Sequence, residues 1–166
     1  GLVRCEEIAA AAPTRLVTLI FGLGDFSTDI RVDLTADATE LLYARSRVVV
    51  AARAAGFRPA LDGPYLDLLN HEGLVADSLR SRQLGFQGRI IVYPPHVEPT
   101  HRAYSDLAPE EAERARRLVK AFELAEADGS ASIQVEGAFV DYPIYERARQ
   151  KLKLYDALAS TGADAR

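Results

Sequence analysis

Three short apolar segments, of which the first two each precede a helical pattern, constrain the fold of this sequence more than any other feature. They are LVTLIF (16–21), RPALDGPYLDL (58–68) and RIIVY (89–93). The first is apolar throughout and ends at Gly22, a pattern typical of a strand buried on both faces. Glycine or proline interrupts or bounds the other two. Strands that alternate with helices of about 14 to 18 residues predict parallel β-α units, and therefore an α/β protein.

Periodicity and helix-terminating residues predict helices over 4–12, 38–55, 71–84 and 109–127. The last of these has Pro109 in its first turn and Gly129 beyond its end, as helices prefer. A polar stretch with four aspartates, 25–37, predicts a loop between the first strand and the second helix. Glu136-Gly137 predicts a hairpin turn, and a final helix is expected from about Tyr142.

Length and composition limit the classes of protein to consider. The chain has 166 residues, too few for a complete eight-unit β/α barrel, which needs about 250. It contains no Met, and we expect it to be cut from a longer protein. Its net charge of −4 argues against a nucleic-acid partner. One cysteine, no signal peptide and no membrane-length apolar run favour a cytoplasmic protein without a membrane partner.

Functional groups in α/β sheets follow the carboxyl ends of the parallel strands, which directs attention to Asp25 in the GLGD stretch. A carboxylate there suits Mg²⁺, and it equally suits a cap for the next turn. Asp141 precedes Tyr142-Pro143, where an aspartate is a natural helix cap. The glycines of GLGD lack the third glycine of a dinucleotide-binding motif. All three histidines are expected at the surface, with His96 and His101 in a proline-broken loop.

Four stretches together resemble the citrate lyase beta-subunit-like and malyl-coenzyme A lyase family, part of the aldolase/citrate lyase superfamily. In order along the chain they are LIFGLGDFSTDI, ELLYARSRVVVAARAAG, LDGPYLDLLNHEGLVADSLRSRQLGFQGRIIVYP and VEGAFVDYPIYERAR. Four ordered motifs are far more specific than any single one. The likeness is to the C-terminal part of the family's chains.

The resemblance implies a partial β/α barrel of the TIM type over 1–104, comprising about the last three strands with their helices. It further implies a helix, hairpin and helix extension over 105–158, and we expect a disordered tail over 159–166. The implied activity is Mg²⁺-dependent cleavage or formation of a carbon–carbon bond in a malyl-, citramalyl- or citryl-type thioester. The products of cleavage are an acetyl thioester, such as acetyl-CoA, and a 2-oxo acid.

The resemblance also assigns roles to residues. Asp25 matches the aspartate of the family's magnesium site, and Gly24 with Asp25 matches the backbone N–H groups that bind the substrate carboxylate. Asp141 resembles an acid or base that acts at the acetyl carbon from a neighbouring subunit. The implied assembly is therefore a homo-oligomer, a trimer or hexamer.

Several family features are missing from the sequence. The second metal-binding glutamate and the substrate-binding arginine fall before Gly1, Tyr93 replaces a histidine, and Asn70 replaces an aspartate. Because one aspartate makes a weak Mg²⁺ site, we expect the chain alone to be inactive. Two alternatives stay open: a metal-dependent aldolase of free 2-oxo-3-deoxy acids, and a non-catalytic partner chain.

Overall fold

Helices dominate the fold, and the chain divides into two units, Gly1–Tyr104 and Ser105–Arg166. The computed structural model describes residues 1–11, 14–105 and 108–163, with side chains as far as 158. The elements are α1 (Cys5–Ala11), α2 (Leu23–Ile30), α3 (Leu42–Ala54), α4 (His71–Leu84), α5 (Val97–Ser105), α6 (Pro109–Ala127), β1 (Ser132–Val135), β2 (Ala138–Asp141) and α7 (Tyr142–Ala163). Within these ranges, no helix has both the length and the apolar character that crossing a bilayer requires.

Three extended segments of the first unit lie side by side and parallel, over 16–21, 59–62 and 87–91. Isolated parallel bridges join Ile20 to Leu61 and Asp62 to Arg89. The second segment thus lies between the first and the third, as expected for successive β-α units, and the α/β class is confirmed. The bridges do not extend into continuous strands. Among the described residues, the antiparallel β1–β2 hairpin is the one regular sheet.

The prediction that the first segment is buried on both faces is wrong. Phe21 packs into the core with Leu41 and Val48. Val17 and Ile20, however, remain 56% and 52% exposed. Ile20 points to the face opposite Phe21, over which the described residues place no second layer. Val17 shares the face of Phe21 but lies at the start of the segment and is not part of the buried core.

Two predicted loops are helical in the structure. Residues 23–30 form α2, because Leu23, Phe26 and Ile30 give the aspartate-rich stretch an apolar helical side that the polar composition obscured. Residues 94–105 form a 3-10 turn, Pro94–His96, followed directly by α5. Proline is compatible with the first turn of a helix, where its missing N–H is not needed, so Pro94, Pro95 and Pro99 do not break this segment.

The second unit follows its sequence signals closely. Helix α6 covers Pro109–Ala127 as predicted, and the hairpin turns at Glu136-Gly137, whose φ angles are 52° and 83°. Phe122, Val140 and Tyr145 form its buried core, in which the rings of Phe122 and Tyr145 stack with centroids 4.7 Å apart. Helix α7 continues to Ala163, so residues 159–163 are helical and not the expected disordered tail. Residues 164–166 lie outside the described residues.

Candidate functional site

The amino end of α2 lies directly beyond the carboxyl end of the first extended segment. Gly22 is the residue before the helix and offers no side chain to cap it. No described residue accepts a hydrogen bond from the backbone N–H of Gly24 or Asp25. Two unpaired N–H groups at the positive end of a helix dipole favour an anion, such as a carboxylate.

Asp25 projects from this first turn and is exposed. In the described part of the chain its carboxylate has no hydrogen-bond or ion-pair partner, so it does not cap the turn. Asp25 and Asp29, one turn later, line a groove of about 680 Å³ whose other walls are mainly apolar, among them Leu19, Phe26 and Ile30. None of the described residues that line the groove is Lys or Arg. Unpaired carboxylates without nearby basic side chains favour a divalent cation.

The described residues supply only part of a metal site. Among them, no group of three or more His, Cys, Asp or Glu side chains is arranged to hold a metal ion. Mg²⁺ usually binds through one or two carboxylates, with water and substrate oxygens completing its shell. The donor chemistry at Asp25 therefore fits Mg²⁺, with the remaining ligands drawn from elsewhere.

Asp141 lies in the second unit, at the end of β2, whereas Gly24 and Asp25 lie in the first. Its Oδ1 accepts a hydrogen bond from the backbone N–H of Ile144, 3.3 Å away, at the start of α7. Asp141 is therefore a helix cap, as the sequence allowed. Its other carboxylate oxygen has no hydrogen-bond partner among the described residues and stays available for a second role.

The surface position predicted for all three histidines is wrong for His96, which is 1% exposed. Its Nε2 lies 3.0 Å from the carbonyl oxygen of Leu68. Because a carbonyl can only accept, Nε2 carries the proton in this bond. The ring also contacts those of Tyr93 and His71 edge-on. A helical turn begun by two prolines directly after a strand was the signal that could have predicted this burial.

A buried ion network links the second and third extended segments to α3 and α4. Arg45 donates two hydrogen bonds of 2.8 Å to the two carboxylate oxygens of Asp77. It also pairs with Asp62, Nη2 to Oδ2, at 3.0 Å. Arg89 donates to Asp77 at 2.9 Å and to the Ser78 hydroxyl at 2.9 Å. The helix predicted over 38–55 contains Arg45, but its pattern did not reveal that this arginine is buried and therefore requires buried partners.

The network lowers the pKa of Asp77. Burial alone raises the pKa of this carboxyl, but the hydrogen bonds and positive charge of Arg45, together with Arg89, outweigh burial and hold the pKa below its usual range. Burial of Arg45 lowers its own pKa, but the hydrogen bonds and negative charges of Asp77 and Asp62 outweigh burial and raise the pKa. Asp77 and Arg45 are thus both charged at neutral pH.

The chain belongs to the HpcH/HpaI aldolase/citrate lyase family, whose model matches residues 1–94. This finding confirms the resemblance drawn from the four sequence stretches. The matched region contains α2 with Asp25, the three extended segments and the ion network, but not Asp141.

Named relatives include lyases. The chain is 35% identical to the citrate lyase subunit beta of Escherichia coli K12 over 149 residues, which are 90% of this chain and 48% of that protein. It is 29% identical to the mitochondrial citramalyl-CoA lyase of Mus musculus over 153 residues, 90% of this chain and 45% of that protein. The chain thus spans about half the length of these curated relatives.

A solved structure shares most of the fold. It is protein CitE from Mycobacterium tuberculosis in complex with magnesium, acetoacetate and coenzyme A. It superposes with a TM-score of 0.79 at 27% identity, over 94% of this chain and 57% of that one.

Replacing Asp77 by Asn tests the network. The isosteric amide keeps the volume but leaves Arg45 and Arg89 buried without their shared negative partner. We expect the free energy of unfolding at pH 7 to fall by about 3–5 kcal/mol, as for other broken buried ion pairs. Urea denaturation followed by circular dichroism measures this change. Asp33→Asn, at an exposed position with no partner among the described residues, is the matched control and should change the free energy of unfolding by less than about 0.5 kcal/mol.

The unmodified protein and Asp77→Asn should also differ in how their free energy of unfolding depends on pH. Because the folded pKa of Asp77 is depressed, its stabilisation is complete above the unfolded value of about 3.9 and is lost as pH falls through the folded pKa. Between pH 7 and pH 3 the unmodified protein should therefore lose more stability than Asp77→Asn. Equal losses in both proteins would contradict an ionised Asp77 in the folded state.

Proposed function

We propose that the protein to which this chain belongs is a Mg²⁺-dependent carbon–carbon lyase. It cleaves a 3-hydroxy acyl thioester of the malyl, citramalyl or citryl type to an acetyl thioester, such as acetyl-CoA, and a 2-oxo acid, or it forms the 3-hydroxy acyl thioester from these two compounds. Family membership and the names of the relatives support this proposal. The observation that carries it is the exposed, unpartnered carboxylate of Asp25 beside the two unpaired N–H groups that begin α2.

Asp25 supplies one ligand for the metal, and the N–H groups of Gly24 and Asp25 bind the carboxylate of the 2-oxo acid. Bound there, Mg²⁺ acts as a Lewis acid that stabilises negative charge on the substrate oxygen. The N–H groups orient the 2-oxo acid, because the positive end of the helix dipole attracts its carboxylate.

Asp141 is proposed as the group that transfers a proton at the acetyl carbon. A carboxylate in this role donates a proton during cleavage and removes one during condensation. The second carboxylate oxygen of Asp141 supports proton transfer, because one oxygen alone is enough to cap the helix. We further propose that Asp141 acts in a neighbouring subunit of a homo-oligomer.

A separate proposal concerns the fold of the complete protein: the three parallel segments are part of a β/α barrel.

Replacing Asp25 by Asn in the protein from the complete reading frame tests the metal site. The amide removes the negative charge, so we expect the affinity for Mg²⁺ to fall at least about tenfold and thioester cleavage to fall with it. Titration calorimetry with MgCl₂ measures the first effect, and release of the 2-oxo acid measures the second. Asp33→Asn removes an exposed carboxylate from the same stretch and should change neither.

Unchanged metal affinity and cleavage in Asp25→Asn would contradict the proposal. Metal-dependent cleavage of a free 2-oxo-3-deoxy acid, without cleavage of a thioester, would instead establish the aldolase alternative. A protein that binds neither Mg²⁺ nor either substrate would establish the non-catalytic alternative.

Replacing Asp141 by Asn distinguishes its role as a helix cap from its proposed role in proton transfer. Asn caps helices as well as Asp does, so α7 and the melting temperature should be preserved. An amide cannot exchange the proton, and we expect kcat to fall about 10² to 10⁴-fold with Mg²⁺ affinity unchanged. A kcat within about threefold of the unmodified protein would limit Asp141 to its structural role, in contrast to the loss expected for a general acid or base.

The same two variants also test whether each active site contains residues from two subunits. If Asp141 acts in a neighbouring subunit, co-expressed Asp25→Asn and Asp141→Asn chains form some sites in which both aspartates are intact. The mixture should then recover activity that neither variant has alone. A lack of recovery in verified mixed oligomers would place both aspartates in the site of a single chain.

A further inference from the structure

Gly63 lies where the carboxyl end of the second extended segment meets the residues that lead into α2. A Cβ atom on Gly63 would lie 2.7 Å from both the carbonyl oxygen of Phe21 and a methyl carbon of Leu23. Because atoms do not approach each other so closely, position 63 has no room for a side chain. The glycine backbone therefore packs directly against the residues on either side of Gly22.

A tight turn joins the first extended segment to α2. The N–H of Leu23 donates to the carbonyl oxygen of Phe21 at 3.1 Å. Gly22 between them has φ and ψ angles of −82° and 74°, as in an inverse γ-turn. Gly24 and Asp25 follow this turn directly. The carbonyl oxygen that closes the turn also borders the second extended segment, so the position of both site residues depends on that segment.

Buried side chains hold both polar groups of the Gly63 backbone. Its N–H donates to Oδ1 of Asp62 at 2.8 Å. Its carbonyl oxygen accepts two hydrogen bonds from Arg89, from Nε at 3.1 Å and from Nη2 at 3.0 Å. The side chains of Asp62 and Arg89 are both fully buried. Two donors on one planar guanidinium fix the direction of the carbonyl as well as its position.

The guanidinium of Arg89 is in turn held from its other side by α4. Its Nη2 donates to Asp77 at 2.9 Å, and its Nη1 donates to the hydroxyl of Ser78 at 2.9 Å. Moving this guanidinium would break charged hydrogen bonds in a buried position, where an unpaired group is costly. Arg89 thus connects α4 to the Gly63 carbonyl, and Gly63 in turn supports the turn that begins α2.

We propose that Arg89 is a positioning residue for the metal site, which acts through the Gly63 carbonyl on the turn that begins α2. This inference rests on the proposed lyase function, in which Asp25 binds Mg²⁺. Arg89 does not bind the metal or the substrate itself. It holds the backbone on which the placement of Asp25 depends. Groups that hold a metal ligand from behind change metal affinity by about 10- to 100-fold when they are removed.

Replacing Arg89 by Met in the protein from the complete reading frame tests the proposal. Methionine fills the space of the arginine stem but leaves the Gly63 carbonyl without its donors. We expect the dissociation constant for Mg²⁺, measured by titration calorimetry with MgCl₂, to rise about tenfold. Arg89→Lys returns a charged donor and should recover part of this affinity. Circular dichroism establishes that each variant is folded at the temperature of the titration.

Arg45→Lys is the matched control for Arg89→Lys. Arg45 is an equally buried arginine of the same ion network, and its hydrogen bonds go to Asp62 and Asp77. The control keeps the charge beside both aspartates and should leave the affinity for Mg²⁺ unchanged. If Arg89→Met does not fold, Arg89→Lys decides, because one ammonium cannot replace all four hydrogen bonds of the guanidinium.

Hydrogen exchange in the Mg²⁺-free protein gives a readout that does not involve the metal. The amides of α2 should lose protection in Arg89→Met and keep it in Arg45→Lys. Unchanged Mg²⁺ affinity in the deciding Arg89 variant would overturn the role of Arg89, as would an equal loss in Arg89→Lys and Arg45→Lys. Either result would leave the lyase proposal standing. Failure of the unmodified protein to bind Mg²⁺ would instead overturn the metal site of that proposal, and the exchange of α2 would then decide whether Arg89 holds the turn.

Discussion

The first unit depends on one buried ion pair, between Arg45 of α3 and Asp77 of α4. The three parallel segments share only isolated bridges, and such short backbone ladders hold a sheet weakly. Arg45 and Asp77 add the missing connections, because Arg45 also reaches Asp62 on the second segment and Asp77 also accepts from Arg89 on the third. Burying these charges is costly, and the cost is offset only when the bidentate geometry is kept. The network therefore fixes the position of the segments more than it adds stability.

The ion network also holds the candidate site in position. Arg89 belongs to the network and also holds the carbonyl of Gly63, where the chain presses against the residues that precede α2. The placement of Asp25 thus depends on buried charges that reach it through the second segment. Loss of the network is expected to displace the site without removing any residue from it.

Local signals predicted some of the structure, and long-range contacts determined the rest. Pro109 at the start of α6, Gly85 beyond α4 and Glu136-Gly137 in the hairpin act within a few residues, so their elements were predicted closely. The burial of His96 depends on the carbonyl of Leu68, 28 residues away. The helical state of residues 23–30 depends on packing of Leu23 in a core that periodicity in so short a segment does not reveal. The rule that functional groups follow strand ends predicts Asp25 as a site residue, but it did not place that residue in a helix.

The contact between Tyr65 and Gly73 limits which residues the chain can accept at these positions. The hydroxyl of Tyr65 occupies the space where a Cβ atom at position 73 would lie, which accounts for a glycine in the first turn of α4 despite its low helix propensity. The same Cβ atom would also lie 2.7 Å from the side-chain nitrogen of Asn70, so a larger residue at position 73 requires both the tyrosine and the asparagine to move or become smaller. Positions 65, 70 and 73 are therefore expected to be epistatically coupled, and a change at 73 is expected together with changes at the other two.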